Sequence, residues 1–279
     1  MPWPGRRGSP GLCYAMNVAF NGWLYQPSRT LRALRLRWVL VGLRMRPAWR
    51  TRRNPVRGRR RALKEEVGYW SAHLSSRGGK YADGYAYRFD HTAEVADPAL
   101  REILQGLTQQ EVSILDVGAG PAPFLGYRFP GKTLSVSAVD PLADEYNLLL
   151  DRAGVVPPVR TERLEGERLV ERFGDDRFDI AYSRNALDHA VDPTLIVESM
   201  VAVVRPGGYV VLRHGRNEAV KQRYRQLHQW NFDERAGQFI VWRPGQQTNI
   251  TETLSGRAEV SCRASPTDDS IVCVIRKLS

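Results

Sequence analysis

Cysteine is scarce in this chain, which has Cys13, Cys262 and Cys273 among its 279 residues. These three show no paired spacing typical of a zinc site and are too few for a disulfide framework. This composition predicts a protein of a reducing compartment, with the cytoplasm as the default. Long apolar runs are also missing, since none approaches the roughly 20 residues that a membrane-spanning helix needs.

Acidic residues are absent from residues 1–64, which carry 16 Lys or Arg. All 30 Asp and Glu lie in the rest of the chain, so the net charge of +11 belongs to an appendage. Basic charge placed in this way is poor support for nucleic-acid binding by the body. We predict a basic, disordered arm or linker over residues 1–61. Apolar residues at helical spacing within residues 31–46 alternatively predict weak contact with an anionic membrane surface.

A short apolar strand that runs into a glycine-rich turn dominates the middle of the chain. Residues 112–117 are mostly apolar, as in a buried parallel strand. Gly118 and Gly120 let the backbone turn tightly and approach a ligand, and Asp116 lies at the strand's carboxyl end, where open α/β sheets bind ligands. A second apolar strand ends in Asp140, twenty residues after Gly120. An acid at that distance is placed to accept hydrogen bonds from ribose hydroxyls.

The turn differs from that of a nicotinamide-binding site. Such a site usually reads Gly-x-Gly-x-x-Gly, with backbone N–H groups facing a pyrophosphate, but Ala122 and Pro123 stand where the third glycine would be. The acid two residues before Gly118 also suits a cationic ligand better than an anionic one. The segment 116–120 resembles the first motif of the class I S-adenosylmethionine-dependent methyltransferases, an acid-x-Gly-x-Gly turn.

Later segments extend this resemblance in the same order and spacing, over residues 112–214. Residues 165–169 resemble the part that flanks the adenine, and residues 178–193 resemble strand four and its loop in the ubiquinone-biosynthesis-type (type 11) branch. Residues 204–212 resemble the turn into strand five. The resemblance implies S-adenosylmethionine as the cofactor. The residues that it implies for the methionine end, the ribose, the adenine and the sulfonium are Asp116, Gly118, Ala119, Gly120, Asp140, Pro141, Glu165, Gly166 and Asn185.

Alternating strands and helical stretches predict an α/β fold. We expect a Rossmann-like, doubly wound, mostly parallel seven-stranded sheet with an N-terminal helical lid. The lid would span residues 62–111 and the methyltransferase core residues 112–279. Lid tyrosines at 81, 85 and 87 either line the cofactor site or pack on the body. In the irregular parts we predict helices at 121–128 and 218–230, closing antiparallel strands at 238–242 and 271–276, and a loop-rich stretch at 244–268.

Two neighbouring residues are our candidates for catalysis. Methyl transfer to oxygen usually needs a base that removes the acceptor's proton, most often His. His189 lies after predicted strand four, at the cleft edge, with Asp188 beside it. A purely structural role in shaping the cofactor pocket stays open, because this loop pattern occurs in the branch whatever the substrate. Some relatives with Glu-His at this point are magnesium-dependent, so Asp188 and His189 could alternatively be metal ligands, but one carboxylate and one imidazole do not make a site, and we predict no metal.

A group of polar and aromatic residues after strand five suits a polyhydroxylated acceptor. An aromatic face can stack on a ring while polar groups bond hydroxyls. An ordinary amphipathic helix that packs its aromatic residues on the sheet is the alternative. The candidate acceptor-binding residues are His214, Asn217, Glu218, His228 and Trp230.

Two absences argue against methylation of nucleic-acid bases. No Asn/Asp-Pro-Pro-Tyr/Phe motif follows strand four, where Ser183-Arg-Asn185-Ala stands, and no cysteine lies in the core cleft. We therefore predict O-methylation of a small molecule or sugar, with a small-molecule or glycan partner and no nucleic acid. Two alternatives stay open: an RNA methyltransferase anchored by the arginine-rich arm, and an inactive protein that binds S-adenosylmethionine or a partner.

Overall fold

The computed structural model describes residues 55–265 and 267–279. The predicted membrane-surface helix at residues 31–46 and the first 54 residues of the predicted arm lie outside the described residues. Residues 55–61, expected as the end of that arm, instead begin the first helix, α1 (Pro55–Ser75). Proline suits the first position of a helix, and Arg, Ala, Leu and Lys, which follow it, are good helix formers.

Among the described residues, no helix is both long enough and apolar enough to cross a membrane.

Two further helices precede the sheet, α2 (Ala82–Phe89) and α3 (Pro98–Gly106). The start of α3 shows why the chain turns helical there. Asp97 Oδ1 accepts hydrogen bonds from the N–H groups of Ala99 (3.0 Å) and Leu100 (3.1 Å), and Pro98 occupies the first helical position. The helix then buries Leu100 and Leu104 completely against one face of the sheet.

The central sheet has seven strands among the described residues, in the order β3-β2-β1-β4-β5-β10-β9. Pairing is parallel from β3 to β5, and β10 runs antiparallel to both β5 and β9. The mostly parallel seven-stranded sheet is thereby confirmed. The strands in chain order are β1 (Glu111–Val117), β2 (Thr133–Asp140), β3 (Glu162–Arg163), β4 (Phe178–Arg184), β5 (Val204–Gly215), β6 (Asn231–Arg235), β7 (Gln238–Arg243), β8 (Gln246–Asn249), β9 (Ala258–Ala264) and β10 (Ser270–Lys277).

Helices cover both faces of this sheet, as the doubly wound prediction requires. Successive strand residues point to opposite faces, so Leu115 and Ala181 join one apolar cluster while Ile114, Ile180 and Tyr182 join the other. Both faces are buried, which explains why the centres of β1 (residues 114–115) and β4 (residues 180–182) have consecutive apolar residues without alternation. The later helices are α4 (Ala143–Ala153), α5 (Leu169–Phe173), α6 (Pro193–Val203), α7 (Glu218–Lys221) and α8 (Ile250–Thr253).

The helix predicted at residues 121–128 does not form, and that prediction was wrong. Pro121 and Pro123 lack the N–H groups that a helix needs, and Gly126 adopts a φ of 86°. The segment instead hydrogen-bonds to a distant strand-like stretch, with the N–H of Tyr127 donating to Ala93 O at 2.7 Å. A segment of turns and bends, with isolated bridges at Arg128 and Phe129, therefore leads from the glycine turn towards β2.

The long helix predicted at residues 218–230 is also wrong, because α7 ends at Lys221. Arg223, Tyr224 and Gln226 have φ of 53–55°, a left-handed conformation that helices do not continue through.

A second sheet of three strands, β6-β7-β8, follows this irregular segment. Residues 238–242, predicted as a closing strand of the main sheet, form β7 of this second sheet instead. The stretch 244–268 is not mainly loop, since it contains β8, α8 and β9. Its strands were hidden by their many polar side chains on exposed positions. The strand predicted at residues 271–276 is confirmed as part of β10.

The structure corrects the expectation that the cysteines do not pair. Cys262 on β9 and Cys273 on β10 lie directly opposite each other, with Cα atoms 4.1 Å apart, and are joined by a disulfide. A disulfide could not be predicted from two cysteines eleven residues apart, because the register between β9 and β10 is what places them opposite each other. The cytoplasmic location stays a prediction.

A buried carboxylate ties β4 to β1, and its removal should destabilise the fold. Asp179 Oδ2 accepts hydrogen bonds from the N–H (2.7 Å) and Oγ (2.6 Å) of Ser113, and its Oδ1 pairs with Arg205. We expect Asp179→Ala to lower the free energy of unfolding by about 2–3 kcal/mol, because the N–H of Ser113 loses its partner. Urea denaturation would measure this. The control Asp151→Ala, which breaks an exposed ion pair with Arg160, should lose less than about 1 kcal/mol; equal losses would contradict the prediction.

Candidate functional site

A cavity of about 820 Å³ opens at the carboxyl ends of β1, β2 and β4 and is covered on one side by α1. This volume lies in the range of small-molecule sites, and the position is where open α/β sheets bind ligands. Every residue that the sequence assigns to the cofactor lines it. These residues are Asp116, Gly118, Ala119, Gly120, Asp140, Pro141, Glu165, Gly166 and Asn185.

The glycine turn is held against the next strand by its own backbone. The N–H groups of Gly118 (2.8 Å) and Ala119 (3.1 Å) both donate to Val139 O, at the end of β2. Gly118 has a φ of 75°, and a Cβ built on it would lie 2.3 Å from the Cβ of Ala186. The loop after β4 therefore packs directly on the turn, and only glycine fits between them.

Asp140 fixes the second half of the turn. Its Oδ2 accepts a hydrogen bond from the N–H of Gly120 (3.0 Å), and its Oδ1 accepts one from Leu142 (2.9 Å). Thr161 adds a bond from its Oγ1 to Gly120 O (2.8 Å). Each carboxylate oxygen of Asp140 keeps a lone pair, because an ionised carboxylate offers about four acceptor sites. The side chain can thus order the turn and still accept hydrogen bonds from a ligand.

The two strand-tip carboxylates are unusually hard to ionise. Burial raises the pKa of Asp116 to about 7, although the Arg88 guanidinium and a hydrogen bond from the Phe124 N–H act against it. Burial likewise raises the pKa of Asp140 to about 6, against the two backbone hydrogen bonds that it accepts. Raised pKa values of this kind in a cavity are typical of functional sites.

Three lining residues come from places without a motif: Trp70 on α1, Arg88 on α2 and Arg184 at the end of β4. Arg88 donates to the carbonyls of Ala119 (2.8 Å) and Ala122 on the glycine turn. Its guanidinium lies 4.9 Å from the Trp70 ring. Burial lowers the pKa of Arg88 to about 10, so it stays cationic at neutral pH. Sequence reasoning missed the contribution of Arg88 and Arg184, since a single arginine in an aromatic segment gives no signal.

The lid tyrosines divide between the two roles considered for them. Tyr81 lines the cavity. Tyr85 instead packs on Phe89, with ring centroids 4.8 Å apart, and Tyr87 packs on Phe124 at 5.1 Å.

On the other side of the cavity, Asp188, His189 and His228 form a tight cluster. The Nδ1 of His228 lies 2.6 Å from Asp188 Oδ2 and 3.2 Å from His189 Nε2, and His189 Nε2 lies 3.6 Å from Asp188 Oδ2. Asp188 is buried, and both imidazoles are about one-quarter exposed. The structure thus joins both predicted catalytic residues to a residue predicted to bind the acceptor.

The backbone around this cluster explains its position. Asp188 and His189 belong to a single 3-10 turn, Leu187–His189, after β4. The segment that carries His228 is fastened to that turn, because the N–H of Gln229 donates to Asp188 O (3.0 Å) and Trp230 Nε1 donates to Ala190 O (3.2 Å). Two segments about 40 residues apart in the chain are thereby held together.

Burial and charge act in opposite directions on this cluster. Burial alone would raise the pKa of Asp188, but the imidazoles of His189 and His228 hold it below its usual value. Burial would lower the pKa of His228, yet the hydrogen bond to Asp188 and the charge of that carboxylate raise it above its usual value. Ionised Asp188 therefore orients the His228 ring with Nδ1–H towards it, which leaves Nε2 as the proton acceptor of the neutral ring.

The other predicted acceptor residues are not all brought to the cavity. His214 and Glu218 line it. Trp230 does not, because its ring is buried in the core and lies 4.0 Å from the Arg243 guanidinium. Asn217 is turned to the second sheet, where its Oδ1 accepts a hydrogen bond from Trp242 Nε1 (2.9 Å).

His214 is buried, with 1% of its surface exposed, and packs on the Phe232 ring at 4.7 Å. Neither of its ring nitrogens has a hydrogen-bond partner among the described residues. Burial lowers the pKa of His214 to about 4, which keeps the ring neutral at pH 7.

Comparison with known proteins decides the family. A family model described as a methyltransferase domain matches residues 74–248, more than half of the chain. The chain belongs to this methyltransferase family. The class I assignment predicted from the sequence is confirmed, and with it the S-adenosylmethionine cofactor. The match does not separate the type 11 branch from others, so that finer assignment stays a prediction.

Several relatives of the methyltransferase carry no more specific name. One, an uncharacterized methyltransferase of Mycolicibacterium vanbaalenii, is 33% identical over 129 residues, which are 45% of this chain and 47% of the relative. The chain thus spans about half the length of the curated relatives that it matches. Among solved structures, a S-adenosylmethionine-dependent methyltransferase of Methanosarcina mazei is 20% identical, with a TM-score of 0.40 over 66% of this chain and 99% of that chain.

Another solved structure is the 1,6-didemethyltoxoflavin-N1-methyltransferase of Burkholderia thailandensis with bound 1,6-didemethyltoxoflavin and S-adenosylhomocysteine. It is 18% identical, with a TM-score of 0.44 over 79% of this chain and 91% of that chain.

The raised pKa values of the methyltransferase predict how pH affects its donor site. We expect affinity for S-adenosylmethionine to fall as pH is lowered from 8 to 5.5, because protonated Asp116 would no longer attract a cationic group and protonated Asp140 would accept hydrogen bonds more weakly. Calorimetric titration would measure it. An affinity independent of pH over this range would contradict the prediction.

The same shifts predict the stability of the donor-free protein. Both folded pKa values lie above the unfolded value of about 4, so the folded state binds more protons, and its stability should decline as pH rises from about 4 to about 7. Asp116→Asn should remove part of this decline and stabilise the donor-free protein at pH 8, as thermal unfolding at pH 5 and 8 would show.

Proposed function

We propose that the methyltransferase transfers a methyl group from S-adenosylmethionine to an oxygen atom of a small molecule or sugar. One observation supports this most directly: the residues assigned to the donor and the Asp188–His189–His228 cluster line one and the same cavity. A donor site and a group able to remove an acceptor's proton are the two requirements of O-methylation.

The donor side suits the cofactor in shape and charge. The close contact at Gly118 leaves a smooth backbone surface beside the buried carboxylate of Asp116. That carboxylate would hold the ammonium group of the methionine end, and the lone pairs left on Asp140 would accept the ribose hydroxyls. Glu165 and Gly166 would flank the adenine, and Asn185 would lie near the sulfonium.

The arginines of the cavity complete the charge match. S-adenosylmethionine carries a carboxylate as well as two cationic groups, and half-buried Arg88 offers a cation beside Asp116. Arg184 lies 4.7 Å from the Phe124 ring on the same wall. A site with both buried carboxylates and half-buried guanidinium groups fits a zwitterionic ligand better than a simple cation.

Bound S-adenosylmethionine supplies a methyl group on a sulfonium, which an acceptor oxygen displaces while the electron pair of the broken bond stays with sulfur. The protein must then accept the proton of the acceptor hydroxyl. Neutral His228 can take that proton on Nε2, and Asp188 at 2.6 Å stabilises the imidazolium that forms. The carbonyl of His189 accepts a hydrogen bond from Arg59 Nη1 (3.0 Å), so α1 helps to fix this side of the cavity.

The acceptor side of the cavity is polar. Beside the two histidines of the cluster it presents Glu218 and Gln226, whose side chains can bond hydroxyl groups, and the apolar Leu227. This mixture suits a hydroxylated small molecule or a sugar. Trp230 supplies no stacking face, because it is buried away from the cavity.

The test is calorimetric titration of the full chain with S-adenosylmethionine and with NAD, followed by a labelled-methyl screen across sugars, phenols, amines and RNA. We expect binding of S-adenosylmethionine without NAD binding, and label recovered as a methyl ether. Transfer to RNA alone would favour the RNA methyltransferase. Donor binding without transfer to any acceptor would favour the inactive binding protein, and transfer to nitrogen alone would overturn the choice of oxygen.

A further inference from the structure

Three possible ligand atoms converge on one point of the acceptor side. Asp188 Oδ2, His189 Nε2 and His228 Nδ1 all lie within 4.8 Å of one another, at separations of 2.6, 3.2 and 3.6 Å. The chain has five histidines, and four of them line this one cavity: His73 on α1, and His189, His214 and His228.

The spacing of these atoms matches a metal site. An ion about 2.1 Å from each ligand atom separates neighbouring ligands by about 3.0 Å in octahedral and about 3.4 Å in tetrahedral geometry. The three separations in this cluster scatter around those values. A single point about 2.1 Å from all three atoms therefore exists with little movement of the side chains.

Hydrogen bonding alone does not satisfy this arrangement. The Nδ1 of His228 carries at most one hydrogen, and two acceptors face it, Asp188 Oδ2 and His189 Nε2. When His189 carries its own hydrogen on Nδ1, its Nε2 lone pair must share the hydrogen that His228 donates to the carboxylate. One divalent cation satisfies all three atoms at once.

We propose that Asp188, His189 and His228 bind a divalent transition-metal ion. Two imidazoles and one carboxylate favour Zn²⁺, Fe²⁺, Co²⁺ or Ni²⁺ over Mg²⁺, which prefers oxygen ligands. Three protein ligands leave positions on the ion open to another molecule. The sequence argued against a metal because it placed only Asp188 and His189 together, and the third ligand comes from 39 residues further along the chain.

His214 is a second and independent sign of a ligand at this place. A buried imidazole normally finds a hydrogen-bond partner, yet both ring nitrogens of His214 have none among the described residues, and the ring lines the same cavity. A water molecule bound to an ion beside the cluster would give His214 the hydrogen-bond partner that the described residues do not provide.

The chemical role of the ion rests on the proposed function. An acceptor hydroxyl near the ion would lose its proton more readily, because a divalent cation stabilises the oxyanion. The ion would also replace the proton between His228 and Asp188. With the ion bound, the site would therefore act through the charge of the ion, and without the ion His228 would act as a base. An acceptor with a hydroxyl group is what both forms require.

Cobalt titration of the full chain tests the site without reference to turnover. The protein is stripped with a chelator, titrated with Co²⁺ and followed by visible absorption. We expect one equivalent to bind with bands typical of nitrogen and oxygen ligation, and Zn²⁺ to displace it. His228→Ala should weaken Co²⁺ binding by at least 10- to 100-fold. The matched control His91→Ala removes an exposed histidine outside the cavity and should bind as the unaltered protein does.

Failure of the unaltered chain to bind Co²⁺ and Zn²⁺ would overturn the proposal, as would equal binding by His228→Ala. Far-UV circular dichroism and donor titration check that each variant folds. If His228→Ala does not fold, Asp188→Asn replaces it as the variant that removes a metal ligand. Metal binding without methylation of any hydroxyl would leave the site standing and reject the proposed function. Oxygen methylation by a protein that binds neither Co²⁺ nor Zn²⁺ would reject the metal site and support the proposed function.

Discussion

Gly118→Ala is expected to weaken binding of S-adenosylmethionine by at least about 100-fold. The new methyl group would lie 2.3 Å from the Cβ of Ala186, and neither atom can move without its backbone. Overpacking of this kind costs about 1–3 kcal/mol, and the φ of 75° adds about 1–2 kcal/mol for a residue with a Cβ. The turn and the loop after β4 must separate, which displaces the surface that faces the cofactor. Calorimetric titration measures the loss.

The matched control for this prediction is Gly131→Ala. Gly131 has nearly the same φ, 73°, but nothing lies within 4 Å of a Cβ built on it. Gly131→Ala therefore introduces backbone strain without a steric clash, and its affinity for S-adenosylmethionine should match that of the unaltered protein. If both variants bound the donor equally well, the contact between the glycine turn and Ala186 would have no part in shaping the donor site.

His228→Gln is expected to reduce the rate of methyl transfer by about 10²- to 10⁴-fold and to leave donor affinity within about threefold. Glutamine keeps a hydrogen-bonding group near Asp188, but it neither accepts the acceptor's proton nor ligates a metal well. The two strand-tip acids assigned to the donor, Asp116 and Asp140, lie on other strands, at the ends of β1 and β2. Single-turnover measurements with labelled donor, beside calorimetry, separate the two quantities.

His91→Gln is the control for the rate measurement, since His91 is exposed and does not line the cavity. Its rate should stay unchanged. A His228→Gln protein with full activity would remove His228 from catalysis. A variant that lost donor binding and rate together would show that His228 supports the cavity as a whole.

The donor side of the site could be predicted from the sequence because its parts are local. Asp116 lies at the end of one buried strand with Gly118 just after it, and Asp140 ends the next strand, twenty residues after Gly120. Parallel neighbours bring their carboxyl ends to one edge, so adjacency in the pattern becomes adjacency in space. The contribution of Arg88 was out of reach, since no periodicity says which side of a short lid helix faces the turn.

The acceptor side could not be predicted as a unit. His189 was found because it follows β4, and His228 was chosen only for its residue type. Their contact depends on a chain reversal through left-handed residues at Arg223 and Gln226, which a helical pattern of side chains conceals. The prediction of one long helix over residues 218–230 also placed Trp230 at the acceptor, whereas its ring is buried in the core.

The segment between β5 and β9 contributes His228, Glu218 and Gln226 to the cavity, whereas the glycine turn and both strand-tip acids come from the first half of the sheet. Under the proposed function, residues 216–257 therefore supply part of the acceptor side, and none of the residues assigned to the donor lies in that stretch. Substitutions within residues 216–257 would then change the acceptor side and leave the residues assigned to the donor unaltered. Residues 216–257 are therefore the segment to exchange in attempts to change the acceptor.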